Sequence, residues 1–213
     1  MSVAQPRTTV VGALVLAAVI AGTLVGGVLG LGLAFLIATA ARMLDGKGWW
    51  VAADRDARGT VMLLGALAGA AALVAALALS TPLADALSRG VEWSTAPVVR
   101  GSIVQTATIA VLLVAISGAA ELTFRRWLLD WVADGLAGQG TGRKLATAVG
   151  VAAAALVEAA IVPVDGDRVG IAITSVGLGL IYVAAGRRVG ASISARVVFE
   201  VGALLLQALR LVG

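Results

Sequence analysis

Histidine and cysteine are both absent from this 213-residue chain. Without histidine it has neither the commonest general base nor the commonest transition-metal ligand. Without cysteine, disulfides, thiolate nucleophiles and iron–sulfur ligation are excluded. Charge is scarce as well. Asp, Glu, Lys and Arg make up 13% of the residues, where a soluble domain carries about a quarter.

Apolar residues fill the space, at 60% of the chain, and the few charges are clumped. Charge-free stretches therefore exceed the roughly 18 residues needed to cross a hydrocarbon layer about 30 Å thick. Lipid offers the backbone no hydrogen-bond partner, so such stretches must be helices. A transmembrane barrel needs alternating polar and apolar residues, and these Ala/Val/Leu/Gly blocks do not alternate. The reading is an all-α fold: one membrane domain over 1–213, a polytopic bundle of about six transmembrane helices in the lipid bilayer of a bacterial cytoplasmic membrane.

The expected spans are 8–42, 60–80, 101–122, 144–162, 169–185 and 190–211. The first is too long for one upright span and too short for two spans and a turn, with Gly26, Gly27, Gly30 and Gly32 offering a kink. It is read as an uncleaved first helix, since it far exceeds the apolar core of a signal peptide. A short surface helix is expected within 82–100. Residues 123–137 read as an amphipathic helix at the membrane surface, with Trp127 and Trp131 one turn apart on one face. Together with Trp49 and Trp50 they are the expected interfacial anchors.

Basic residues divide unevenly between the two sides. Arg42, Lys47, Arg55, Arg58, Arg125, Arg126, Arg143, Lys144, Arg187 and Arg188 fall on one, against Arg7, Arg89, Arg100, Arg168 and Arg210 on the other. The first side is then cytoplasmic, with both termini outside. Because these cations flank spans, the net charge of +4 does not point to nucleic acid. Glycines at four-residue spacing, Gly22, Gly26 and Gly30 and then Gly65 and Gly69, let helix backbones approach closely. Packing within the bundle is the expected use, with a face between copies as the alternative.

Five ionisable residues fall within or at the ends of spans: Glu121, Arg125, Glu158, Arg196 and Glu200. Such groups are costly in lipid and each needs a partner. Glu121/Arg125 and Arg196/Glu200 are spaced i,i+4 and so share a helix face. Glu158 has no charged neighbour in its helix and must reach Arg125, Arg126 or Arg196, take up a proton, or line a watery cavity. A divalent metal among three carboxylates is disfavoured by the nearby arginines, so no metal or other cofactor is expected. Gly138–Lys144 lacks the ending of a phosphate-binding loop and reads as a connector, and Asp165-Gly166-Asp167 reads as a turn.

The segment Ala120-Glu121-Leu122-Thr123-Phe124-Arg125-Arg126 resembles the first motif of the CPBP family, the CAAX prenyl proteases and bacteriocin-processing membrane enzymes, which reads E-E-x-x-F-R-G. Ala154–Glu158 and Arg196–Glu200 stand where that family has F-x-x-x-H and H-x-x-x-N. The resemblance covers about 100–213 and implies the family's helical fold. It also implies lost catalysis. The positions of the family's water-activating Glu, its two His and its Asn read Ala120, Glu158, Arg196 and Glu200. Arg196 is placed to bridge Glu158 and Glu200.

Three functions stay open at this point. The chain is a non-catalytic CPBP-like subunit that binds a membrane-protein partner; or an atypical peptidase using Glu121 and Glu158 as a carboxylate pair; or a transporter-like protein with an intramembrane carboxylate relay.

Overall fold

The computed structural model describes residues 57–78, 103–161 and 168–212. The run 8–42, the surface helix expected within 82–100, the anchors Trp49 and Trp50 and the Asp165–Asp167 turn lie outside the described residues. Every described element is a helix, and there is no strand among the described residues.

The helices fall close to the expected spans. Helix α1 is Ala57–Ala78, α2 is Ile103–Glu121, α4 is Arg143–Ile161, α5 is Arg168–Ala184 and α6 is Val189–Val212. Between α2 and α4 lie a π-helical stretch, Leu122–Leu129, and a short helix α3, Asp130–Gly138. Two segments, Gly59–Ala76 and Thr106–Gly138, are long and apolar enough to cross a membrane, and Arg168–Ala184 is a shorter apolar helix.

The π-helical stretch corrects one expectation. Residues 123–137 do not start a separate helix at the surface; they continue α2 without a break. Thr123, Phe124, Arg125, Trp127, Leu128 and Leu129 are buried, and Ala120, Phe124, Trp127 and Leu129 form a core with Val151 and Tyr182. The helices α4, α5 and α6 all touch the π-helical stretch and bury most of it, while Asp134, Gly135 and Ala137 of α3 stay exposed. Trp127 stacks on Trp131, with centroids 6.1 Å apart and planes within 6° of parallel. Trp127 thus packs inside the bundle. The i→i+5 ladder of a π turn is rare and tends to mark sites where side chains must be re-aimed. Here it lies directly between Glu121 and α3.

Helix α1 packs along α6, and glycine makes this possible. A Cβ on Gly65 would meet the Ala191 carbonyl, and one on Gly69 would meet that of Ala195. Ser194 Oγ donates to the Met62 carbonyl across the same seam, at 2.8 Å. Of the two uses expected for Gly65 and Gly69, packing within the bundle is therefore the one observed.

Polarity is distributed opposite to that of a protein folded in water. Glu121, Arg125, Glu158, Arg196 and Glu200 are buried, while Leu63, Leu67, Val74, Val111, Leu156 and Leu180 are each more than half exposed. The seam gives a testable consequence. Gly69→Leu should lower stability by about 1–3 kcal/mol, the usual cost of overpacking, read as a drop in the melting temperature of the purified chain in detergent.

Candidate functional site

Three helices bring the five expected residues together. Glu121 ends α2 and Arg125 follows one turn later; Glu158 comes from α4; Arg196 and Glu200 lie one turn apart on α6. All are at most 6% exposed.

Arg196 is the hub. Its Nε donates to Glu200 Oε1 at 2.8 Å, and its Nη1 to Glu158 Oε1 at 2.7 Å and Glu121 Oε1 at 3.1 Å. One planar guanidinium therefore addresses a carboxylate on each of three helices, which the point charge of a lysine does not reproduce. The place a metal would take among three carboxylates is filled by an arginine.

Arg125 closes the other side. Its Nη2 donates to Glu158 Oε2 at 2.8 Å, and its Nε lies 3.4 Å from Glu121 Oε2. Ser175 Oγ adds a third partner to Glu158, at 2.7 Å. Glu158 thus accepts from two arginines and a serine. Glu121 and Glu158 do not face each other as a proton-sharing pair, because Arg196 Nη1 stands between them.

Two serines went unremarked in the sequence. Ser117 lies one turn before Glu121 on the same face of α2 and contacts Glu200 Oε2 at 2.5 Å. That i,i+4 spacing was the available signal. Ser175, on a largely apolar helix that also holds Thr174 and Tyr182, carried none.

A second polar cluster, also unforeseen, ties α3 and the π-helical stretch to the end of α5. Tyr182 donates to Asp130 Oδ2 at 2.7 Å. Arg187, in the turn after α5, donates to Asp134 at 2.7 Å and lies 3.4 Å from Asp130 Oδ1. Arg126 approaches Asp130 at 3.6 Å. Arg187 has φ of 61°, in the left-handed region, just after Gly186 at 71°. This shape lets the Arg187 N–H reach the Tyr182 carbonyl, closing the helix end. Partial burial alone would pull its guanidinium down, but the Asp134 hydrogen bond and the charges of Asp130 and Asp134 hold it above its ordinary value.

Beside the network lies a cavity of about 220 Å³ between α1, α5 and α6. Ala68, Gly69, Ala72, Ile171, Leu178 and Phe199 give it apolar walls, while Glu158, Arg196 and Glu200 supply its polar side. Comparison of the chain with protein families, curated proteins and solved structures returned no match.

Two outcomes check the geometry. Arg196→Ala strips three carboxylates of a shared partner and should destabilise the protein by more than about 2 kcal/mol; an unchanged melting temperature would reject the hub. Tyr182→Phe should cost about 1 kcal/mol, the net value of one hydrogen bond, measured by the same melting experiment.

Proposed function

We propose that the chain is a multi-pass protein of a bacterial cytoplasmic membrane, with a CPBP-like fold, that serves as a non-catalytic, partner-binding or structural subunit of a membrane complex. The observation that carries this reading is the closed network. At the positions that the resemblance aligns with the family's catalytic residues, Glu158 and Glu200 are both hydrogen-bonded to Arg196, and the three side chains form the polar side of the cavity. A base whose oxygens already accept from two arginines and a serine is poorly placed to activate water. The membrane assignment is supported by two helices long and apolar enough to cross a bilayer, and by exposed leucines and valines around a charged interior.

One observation favours a second reading, the transporter-like protein. The cavity reaches Glu158 and Glu200, as an intramembrane carboxylate relay requires. The peptidase reading has no comparable support, since Arg196 separates its two carboxylates.

Native mass spectrometry of the chain extracted from its own membrane in mild detergent tests the leading reading. A heteromeric complex of fixed stoichiometry is expected, and a bare monomer contradicts it. Cleavage of a membrane peptide that disappears in Glu121→Gln would establish the enzyme reading in its place.

A further inference from the structure

Among the described residues, the charges of the buried network do not balance. Three glutamates, Glu121, Glu158 and Glu200, share two arginines, Arg125 and Arg196. With every group ionised the cluster would hold one net negative charge, which is costly away from water. One proton would cancel it.

The hydrogen bonds of Ser117 say where that proton sits. Ser117 Oγ lies 2.6 Å from the Leu113 carbonyl oxygen and 2.5 Å from Glu200 Oε2. Both distances are those of short O–H···O hydrogen bonds, and each needs a hydrogen between its two oxygens. The carbonyl can only accept, and a serine hydroxyl has a single hydrogen to give. If Ser117 donates to Leu113, the hydrogen in the other contact must come from the carboxyl group.

The remaining partners single out the same residue. Glu158 meets both guanidinium groups and a serine. Glu121 also lies against both guanidinium groups, at 3.1 and 3.4 Å. Glu200 pairs with Arg196 alone among the described residues. It has the least positive charge around it and the one contact that calls for a hydrogen of its own.

We infer that Glu200 is a proton-binding site: its Oε2 carries a proton and donates it to Ser117 Oγ, which passes its own hydrogen to the Leu113 carbonyl. Among the described residues, the charged groups facing this site are Arg196 on α6, Glu121 and Arg125 on the α2 helix and its π-helical continuation, and Glu158 on α4. On the cavity side, α1 and α5 present the uncharged Ala68, Gly69, Ala72, Thr174 and Ser175. Glu200 lines that cavity. This inference rests on charge and hydrogen-bond counting and stands whichever function the chain performs.

Infrared spectroscopy of the full-length chain in detergent at neutral pH tests it. The spectrum should contain a protonated-carboxyl C=O component that Glu200→Gln removes and Glu121→Gln retains. Ser117→Ala should move the component to higher frequency, because the acid loses its acceptor. Glu200→Gln should melt close to the parent protein, since the amide oxygen still accepts from Arg196 and the amide nitrogen still donates to Ser117. A C=O region unchanged by both Glu200→Gln and Ser117→Ala would overturn the assignment. So would a component that disappears in Glu121→Gln.

Discussion

One guanidinium holds the described bundle in register. Arg196 meets Glu121 at the end of α2, Glu158 on α4 and Glu200 on its own helix. Removing an arginine and three carboxylates from water is expensive, and good geometry at every contact is what offsets the expense. The contacts therefore constrain the helices that supply them. A one-residue turn of α4 would swing Glu158 away from both arginines, and a shift of α6 would pull Arg196 from α2. The glycine seam acts on the same helix from its other side. Gly65 and Gly69 bring α1 directly onto the Ala191 and Ala195 backbone, one residue from Arg196. A purely apolar interface between helices slides at little cost; this one does not.

The helices were legible in the sequence because their boundaries are chemical. Pro163, the Gly186-Arg187-Arg188 turn and the Gly138–Lys144 connector interrupt apolar runs that have no other reason to stop. The five charged residues were legible for the opposite reason, since each stands out in an apolar stretch. What could not be read was how their partners would be divided. Sequence spacing places Arg125 beside Glu121, yet the closer contact of Arg125 is Glu158, at 2.8 Å against 3.4 Å. That preference is set by how α4 packs and leaves no local trace. The π-helical stretch was illegible too. Leu122–Leu129 has the periodicity of a helix lying on a surface, and only the surrounding helices bury its second face. Tyr182 and Asp130 show the same limit: they lie 52 residues apart and meet only in the fold.

Under the proposed reading, a protease-like centre that would expose a base and an oxyanion donor has been refilled with groups that bond one another, although Glu121 Oε2 and Arg125 Nε and Nη1 are left without a hydrogen-bond partner among the described residues. Substituting one position alone would leave a buried charge without a partner. Arg196 keeps a hydrogen bond to Glu200 on one helix, and Glu158 gains both arginines. The cavity beside them keeps an apolar wall and a polar side, leaving room for a small occupant.

A double-mutant cycle between Arg196 and Glu158 tests the central claim most directly. Arg196→Met, Glu158→Gln and the double variant would be compared with the parent by reversible unfolding in detergent. Direct contact in a shared network predicts a coupling energy of about 1–3 kcal/mol, with the double variant much less destabilised than the sum of the two single changes. Simple additivity of the two single effects would contradict the account.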